Sequence, residues 1–398
     1  MDQSVPRGRV HGSLTPPSSK SYAQRALAVS LLAQGHTVLR KLDFCQDTLS
    51  ALGCIHTLGA EVIELDEQTL SIGGGLAPRE TTLHVGESGL ASRLFTPIAS
   101  LAERPIRIVG RGSLLERPMQ MMIEPLKRLG VRVEDNRGYL PFEVCGPLRG
   151  GETEVDGSVS SQFITGLLLA LPMAAIDTTL HVEKAVSTPY LDMTIDTAKR
   201  FGVDIFHRDY HEFYIPGGQR YRGLDLTIEG DWSAAAMLLV AGAVAGEVCV
   251  ENLSALSKQA DTAVLDALAR AGAEITIEGD SITAARRELH GFEFDATQCP
   301  DLFPALAVLA AAAEGETTLY GTSRLTHKES NRAETIAEEF SKIGIAVDIS
   351  EENIMRIQGG KIHATEVESH NDHRIAMALA VAGLISDGVM QIHGAECV

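Results

Sequence analysis

Six segments of this sequence begin in the same way, with a small or polar residue that can cap a helix. Each start is followed by an apolar run of helical length, a short turn and a β-rich stretch. The starts recur about every 70 residues, so they form an internal repeat that predicts several copies of one supersecondary unit. They lie near Ser19, Ser88, Ser160, Trp232, Pro300 and Asp372.

A glycine ends the second helix of each of the first five units. Glycine is favoured there because it adopts the left-handed backbone conformation without steric cost. Each unit reads strand, helix, strand, helix, strand, strand, with parallel βαβ crossovers, so the predicted class is α/β throughout. The sixth unit stops at Val398, just after its first strand and before any second helix, and the pattern predicts that it is truncated. The helix endings are Leu58-Gly59, Leu129-Gly130, Phe201-Gly202, Ala271-Gly272 and Ile343-Gly344.

Composition and charge narrow the functional class. With 398 residues and 44% hydrophobic content, the chain suits two or three domains with packed cores. Its formal net charge of -19 argues against nucleic acid or an anionic membrane as a partner, because both require a basic surface. Any anion-binding site must therefore be local.

Motifs for metals, nucleotides and export are missing from the sequence. The six cysteines show no metal-ligand spacing and are interpreted as reduced core residues. Neither a Walker sequence nor G-x-G-x-x-G occurs, so nucleotide binding has no support. The N-terminus is not a signal peptide, and the longest apolar runs, such as residues 234 to 246, are too short to span a bilayer. We expect a cytoplasmic protein without metal or cofactor.

The first helix start carries cations at the end of the helix dipole that attracts anions. Ser21 and Arg25 are four residues apart and share a face, with Lys20 at the tip. This arrangement fits a clamp for a phosphate or a carboxylate, and it fits an exposed basic helix start equally well.

Two later segments hold acids and bases close together. Lys328 and Arg332 are four residues apart and Glu329 and Arg332 three apart, so we expect them to share one region of a helix. The residues from Asp372 to Arg374 open an apolar helix and put an imidazole and a guanidinium at its positive end. Taken singly, these segments are also consistent with a surface ion pair and an ordinary helix cap.

A symmetric fold could bring most of these helix starts to one cleft. The resulting cationic pocket in an acidic protein suits substrates that carry phosphates and carboxylates. Asp301, Glu329 and His373 are its acid-base candidates, which favours proton transfer over metal chemistry. The cations of the pocket would be Lys20, Arg25, Arg93, Arg117, Lys328, Arg332 and Arg374.

As a set, the motifs resemble those of the EPSP synthase family of enolpyruvyl transferases, nearly from end to end. The resemblance implies a two-domain inside-out α/β barrel of six βαβαββ units, three per domain. It implies domains of residues 1–17 plus 230–398 and of residues 18–229, with the active site in the cleft between them. The matching motifs are Lys20-Ser21-x-x-x-Arg25, Ser160-Ser161-Gln162-Phe163, Ser187-Thr188-Pro189-Tyr190, Glu229-Gly230-Asp231, Lys328-Glu329-Ser330-Asn331-Arg332 and Asn371-Asp372-His373-Arg374.

The resemblance also implies the chemistry, which is transfer of the enolpyruvyl group of phosphoenolpyruvate to the 5-hydroxyl of shikimate 3-phosphate. It implies a monomer with no cofactor, no metal, no nucleic acid and no membrane partner. Implied catalytic residues are Asp301, Glu329, Lys20 and His373. Implied contacts of shikimate 3-phosphate are Lys20, Ser21, Arg25, Ser160, Ser161, Gln162, Ser187, Asp301 and Lys328. Those of phosphoenolpyruvate are Lys20, Gly89, Arg117, Gln162, Arg332 and Arg374.

The sequence departs from the family pattern at three places. Glu87 stands where the family usually has Asn, so it must pair with a neighbouring cation or turn away. Arg324 stands where an Asn commonly touches the shikimate phosphate, and the chain ends before a basic residue that the family uses for phosphoenolpyruvate.

Two alternatives remain from the sequence. One is a non-catalytic or truncated relative that binds shikimate 3-phosphate without turnover. The other is the sister enolpyruvyl transferase acting on UDP-N-acetylglucosamine. That enzyme requires a Lys-Asn helix start and a reactive loop cysteine, whereas this chain has Lys20-Ser21 and no cysteine between Cys54 and Cys145.

Overall fold

The chain forms two compact α/β units in a computed structural model that describes residues 1–158, 160–326 and 328–398. The inserted unit is Ser18–Glu229, and the discontinuous unit combines Met1–Pro17 with Gly230–Val398. Among the described residues, no helix is long and apolar enough to cross a membrane.

Helices and strands alternate along the described chain, as the repeat pattern predicts. The α-helices are α1 (Lys20–Leu32), α2 (Gln46–Thr57), α3 (Gly89–Ala99), α4 (Ile123–Arg128), α5 (Gln162–Ala170), α6 (Thr188–Arg200), α7 (Trp232–Ala245), α8 (Val264–Arg270), α9 (Phe303–Ala312), α10 (Arg332–Lys342) and α11 (His373–Leu384). The strands are β1 (Gln3–Pro6), β2 (Val10–Leu14), β3 (His36–Arg40), β4 (Glu61–Asp66), β5 (Thr69–Gly73), β6 (Thr82–His84), β7 (Ile106–Val109), β8 (Arg132–Asn136), β9 (Tyr139–Cys145), β10 (Gly151–Asp156), β11 (Thr178–Glu183), β12 (Phe206–Arg208), β13 (Glu212–Ile215), β14 (Asp225–Thr227), β15 (Gly246–Val250), β16 (Glu274–Glu278), β17 (Ser281–Ala285), β18 (Glu293–Asp295), β19 (Glu316–Tyr320), β20 (Ala346–Asp348), β21 (Ile354–Gln358), β22 (Glu366–Glu368) and β23 (Val389–His393).

The inserted unit contains three four-stranded sheets, with strand orders β14-β3-β5-β4, β6-β7-β9-β8 and β10-β11-β13-β12. In the third of them β10 runs parallel to β11, and β13 and β12 continue the sheet as an antiparallel hairpin. Parallel neighbours need a crossover connection, which α5 provides between β10 and β11. The predicted α/β class is therefore confirmed in this unit.

The discontinuous unit has sheets of order β16-β17-β15-β2, β18-β19-β21-β20 and β1-β23-β22. The N-terminal strand β2 pairs with β15 in this unit, while β14 takes the corresponding place beside β3 in the inserted unit. The sixth sheet has three strands, because β1 runs antiparallel to β23 beside its parallel neighbour β22. The start of the chain thus supplies a strand to the sixth sheet, which the linear repeat pattern does not predict.

Three nearly fully buried helices form the core of each unit. They are α1, α3 and α5 in the inserted unit and α7, α9 and α11 in the discontinuous unit. Helices that are apolar on every side must be covered on every side, as α7 and α9 are. The predicted starts of these helices are confirmed, with Ser19, Ser88, Asp231 and Asp372 accepting backbone hydrogen bonds as caps.

The predicted glycine endings of the outer helices are also confirmed. Each of the five glycines follows the last residue of an outer helix or its cap and has a φ between 85° and 119°. A residue with a Cβ is strained at these angles, so glycine ends the helix at low cost.

Candidate active site

Arg332 is the centre of a charged cluster in the discontinuous unit. It is the first residue of α10 and is completely buried. Its Nη1 donates to Asp301 at 2.7 Å, its Nη2 to Glu329 at 2.7 Å and its Nε to Asp372 at 2.8 Å. A second bond from Nη2 reaches Asp372 at 3.3 Å. A buried guanidinium is stable when carboxylates surround it in this way.

Asp301 faces three cations. Its carboxylate accepts from Lys328 Nζ at 3.2 Å and from Arg332 at 2.7 Å, and Arg374 Nη2 lies 3.8 Å away. Burial alone would raise the pKa of Asp301, but the charges of Lys328, Arg374 and Arg332 hold it well below its ordinary value. This carboxylate is therefore ionised in the free protein.

Glu329 is also ionised. Burial raises its pKa, but the charge of Arg332 outweighs that effect and lowers the pKa overall. The expectation that Lys328, Glu329 and Arg332 share one region of a helix is wrong. The helix α10 begins only at Arg332, whereas Lys328 and Glu329 lie in a bend before it. They reach the cluster because their side chains bond to Asp301 and to Arg332.

Asp372 joins two elements of the site. It caps α11 by accepting from the backbone N–H of Arg374 at 3.0 Å, and it also accepts from Arg332 and from Ser330 Oγ. Burial alone would raise its pKa, but the bond from Arg332 lowers it below its ordinary value. His373, the first residue of α11, lies with Nδ1 4.0 Å from Asp372.

Replacement of Asp372 by Asn is expected to destabilise the protein by about 3 kcal/mol, because it removes the charge that balances buried Arg332. Since folding lowers the pKa of Asp372, its contribution is present above its unfolded pKa and is lost as pH falls through the lower folded pKa. Chemical denaturation at neutral and acidic pH measures this. The free energies of unfolding of Asp372→Asn and the wild type should converge as pH falls through the lowered folded pKa of Asp372.

The exposed Asp348, whose hydrogen bonds come from Ser350 two residues away, provides the control for that experiment. Asp348→Asn should change the free energy of unfolding by less than about 0.5 kcal/mol. An equal loss in both variants would contradict a special role for Asp372.

Arg25 is the central cation of the inserted unit, and it is 1% exposed. Its guanidinium donates to the hydroxyls of Thr194 and Thr165 and to the carbonyls of Ser21 and Tyr190, at 2.9 to 3.3 Å. Burial lowers its pKa to about 10, so it remains charged near neutral pH. These acceptors are neutral, and a buried cation with neutral acceptors favours an anionic ligand.

A second group of cations lies at the start of α3. A Cβ on Gly89 would lie 3.2 Å from Arg117 Nη1, 3.3 Å from Arg93 Nη1 and 3.5 Å from Gln162 Oε1. Arg93 donates to Gln162 at 2.7 Å and to the carbonyl of Pro118 at 3.3 Å. Burial, and to a smaller extent the charge of Arg117, lowers the pKa of Arg93 to about 10. The fold therefore brings Gly89, Arg117 and Gln162 together at a helix start, an arrangement that suits an anion.

The remaining predicted residues of this unit lie at helix starts. Lys20 opens α1, with its Nζ 3.5 Å from Asp47, so part of its charge is balanced within the chain. Ser160 Oγ accepts from the backbone N–H of Gln162 at 3.2 Å. Ser161 and Ser187 stand immediately before α5 and α6, and Ser187 has a φ of 54°. A left-handed serine costs free energy, and backbone conformations of this kind cluster at active sites and ligand clamps.

Glu87 and Arg324, the two residues that depart from the family pattern, both have identifiable neighbours in the structure. Glu87 is half exposed and lies 3.9 Å from Arg111 Nε. Its carboxylate occupies the space that a Cβ on Gly112 would need. Arg324 ends a short 3-10 helix, Thr322–Arg324, where burial lowers its pKa and the charge of Asp301 opposes that change. It therefore adds positive charge near Asp301.

Sequence reasoning missed the residues that hold the predicted ones in place. Thr165 and Thr194 bind Arg25 from α5 and α6, and a threonine within a helix gives no signal of such a role. Asp261 is 2% exposed and accepts from Ser233. Burial, and then the charge of Asp301, raises the pKa of Asp261 to about 7. A pattern of buried acids near a helix start could have indicated Asp261.

Comparisons with known proteins give a consistent result. The sequence model of EPSP synthase (3-phosphoshikimate 1-carboxyvinyltransferase) matches residues 5–398. The 3-phosphoshikimate 1-carboxyvinyltransferase of Methanothermobacter thermautotrophicus is 40% identical over 395 residues, which cover 96% of this chain and 92% of that protein. That of Methanocorpusculum labreanum is 35% identical over 397 residues, covering 99% and 94%. A solved structure of EPSP synthase from Acinetobacter baumannii has a TM-score of 0.86 and 29% identity, covering 99% and 94%.

Proposed function

This chain belongs to the EPSP synthase family, and we propose that it transfers the enolpyruvyl group of phosphoenolpyruvate to the 5-hydroxyl of shikimate 3-phosphate, releasing phosphate. The reaction is a step of the shikimate pathway to aromatic amino acids. At the site, the proposal is carried by the Asp301 carboxylate, which three cations keep ionised. A base among cations suits a reaction between an alcohol and a strongly anionic partner.

The proposal includes the finer architecture that the family resemblance implies. The two units would correspond to domains of three βαβαββ units each, in an inside-out α/β barrel that acts as a monomer. The repeated strand order of the five four-stranded sheets supports this arrangement.

Arg25 is the principal ligand proposed for shikimate 3-phosphate. Its buried charge has neutral acceptors, so an anionic oxygen of the substrate would balance it. The serines before α5 and α6 add hydroxyl donors, and the start of α5 adds backbone N–H groups. The complete proposed set is Lys20, Ser21, Arg25, Ser160, Ser161, Gln162, Ser187, Asp301 and Lys328.

Phosphoenolpyruvate is proposed to bind the arginines of both units. Arg332 has five N–H donors and uses four of them on carboxylates, which leaves one Nη1 hydrogen for the substrate. Gly89 allows close approach of an anion to Arg117, because a side chain there would meet the guanidinium. The complete proposed set is Lys20, Gly89, Arg117, Gln162, Arg332 and Arg374.

The proposed chemistry is an addition followed by an elimination. Asp301 accepts the proton of the 5-hydroxyl of shikimate 3-phosphate. The oxygen of that hydroxyl bonds to C2 of phosphoenolpyruvate as C3 gains a proton. Glu329 exchanges the proton at C3: it must take up a proton when the anionic substrates bind, it donates that proton to C3 in the addition, and it takes a C3 proton back in the elimination. Lys20 and His373 assist transfer and stabilise the developing charge. Loss of a C3 proton then expels phosphate from C2. Bound phosphoenolpyruvate would partly neutralise the cations that lower the pKa of Asp301, and that pKa would then rise toward its ordinary value.

Phosphate release on mixing the chain with phosphoenolpyruvate and shikimate 3-phosphate tests this function. UDP-N-acetylglucosamine is the control acceptor. Release with shikimate 3-phosphate alone is the expected result. Release only with the nucleotide sugar would identify the sister transferase. No phosphate release with either acceptor, together with calorimetric binding of shikimate 3-phosphate, would identify a relative that binds without turnover. No phosphate release and no binding would overturn the proposal.

A further inference from the structure

A buried carboxylate outside the predicted site contacts the turn that leads into α11. Glu339 is on α10, is completely buried, and lies with Oε1 2.6 Å from His370 Nε2. Its Oε2 accepts from the backbone N–H of Glu368 at 3.0 Å, and Lys342 Nζ lies 2.7 Å from Oε1. Burial would raise the pKa of Glu339, but the bonds from Lys342, Glu368 and His370 lower it, so the group is ionised.

The turn that Glu339 contacts has an unusual backbone. His370 and Asn371 are consecutive non-glycine residues in the left-handed region, with φ values of 51° and 56°. This conformation costs free energy at each residue and persists only where surrounding contacts impose it. Asp372 follows directly and caps α11, so the turn determines where His373 and Arg374 lie.

Two bonds from the same helix hold this turn. Arg332 and Glu339 are seven residues apart on α10, which is about two helical turns and therefore the same face. Arg332 bonds Asp372 at the end of the turn, and Glu339 bonds His370 at its beginning. Neither end can shift without breaking a buried charged contact, which is costly.

We propose that the Glu339–His370 pair is a positioning device that holds the start of α11 so that Arg374 can bind phosphoenolpyruvate. The inference rests on the proposed function, because it concerns the same site. Glu339 and His370 act through Arg374 and Asp372 and do not touch the substrate.

A metal site is the other reading of this cluster. Ligand atoms of Glu338, Glu339 and His370 lie within 4.8 Å of one another. Lys342, however, bonds Glu339 at 2.7 Å and Glu338 at 3.2 Å, so an ammonium group already balances these carboxylates. An added divalent cation would be repelled by Lys342, and the geometry favours the positioning role.

Two substitutions at His370 separate the effect of its hydrogen bond to Glu339 from the effect of its left-handed backbone conformation. Asn tolerates the left-handed conformation but is too short to reach Glu339, whereas Gln can place an amide N–H near the position of Nε2. We expect His370→Asn to raise the KM for phosphoenolpyruvate about tenfold or more, with kcat reduced less. His370→Gln should restore most of this loss. Glu338→Gln is the matched control, because Glu338 is exposed, also pairs with Lys342 and is the neighbour of Glu339.

Steady-state phosphate release gives the two kinetic constants, and calorimetry gives the affinity for shikimate 3-phosphate without phosphoenolpyruvate. That affinity should change less than about twofold in every variant, since Arg25 is in the other unit. An active wild type with His370→Asn equal to Glu338→Gln would overturn the inference and leave the proposed function intact. Equal losses in kcat, both affinities and Tm for the Asn and Gln variants would indicate a merely structural role and would also overturn it. A wild type that binds neither substrate would overturn both.

Discussion

Replacement of Asp301 by Asn is expected to slow phosphate release about a thousandfold at saturating substrates. The physical reason is that an amide cannot accept the proton of the 5-hydroxyl, and general base catalysis contributes about 10² to 10⁴ to a rate. Asn preserves the shape of the side chain and its bonds from Lys328 and Arg332, so substrate binding should fall much less than kcat. Single-turnover phosphate release measures the effect on chemistry.

The control for Asp301→Asn is Asp266→Asn, which removes an exposed aspartate 2.8 Å from Arg270 in the same unit. Surface pairs of this kind contribute little, so its kinetics should match the wild type. Asp301→Asn with near wild-type turnover would show that another group is the base. A fall in Tm beyond that of the control would mean that the charge balance of Arg332 contributes to the loss.

Replacement of Arg25 by Met is expected to weaken binding of shikimate 3-phosphate at least a hundredfold without lowering Tm. The first effect follows from the loss of a buried, charge-assisted donor. The second follows because burying a guanidinium among neutral acceptors costs free energy, which Met avoids. The acceptors remain satisfied, since Thr194 donates to Tyr190 at 2.7 Å and lies 3.1 Å from Thr165.

Two further variants sharpen this test. Arg25→Lys keeps the charge but loses the planar fork, so its affinity should lie between those of Met and the wild type. Arg40→Met is the matched control, because Arg40 is an exposed arginine with three hydrogen bonds to Asp225 in the same unit. Calorimetry and thermal unfolding measure both properties. A large fall in Tm for Arg25→Met with unchanged affinity would assign Arg25 to the fold.

Local features of the sequence predicted the starts of the core helices and the glycine ends of the outer helices. Helix caps such as Ser88 and Asp372, together with the glycines after the outer helices, depend on residues only a few positions apart. The placement of Gly89 beside Arg117 and Gln162 came from the family resemblance and is consistent with the structure. The catalytic roles of Asp301 and Glu329 stay predictions, and the Asp301→Asn experiment tests the first of them.

Contacts between distant segments could not be predicted in this way. The pattern of Lys328, Glu329 and Arg332 predicted a shared helix, but α10 begins at Arg332 and the cluster assembles around Asp301 instead. Glu339 looks like a surface residue of a polar helix, yet it is buried against His370. Burial depends on what packs on each face, which a period of 3.6 residues does not specify.

The sequence by itself determined the alternation of helices and strands, the starts of the core helices, the glycine ends of the outer helices and, through its motifs, the family to which the chain belongs. Those properties depend on side-chain sterics, backbone angles and hydrogen bonds within a few residues. Only the tertiary structure decided that β2 and β14 lie in sheets away from their neighbouring helices, and that β1 joins β23. It also decided which carboxylates balance Arg332 and that Arg25 has neutral acceptors. Strand partners and charge partners are chosen by packing across long stretches of chain, where many pairings satisfy the local pattern equally well.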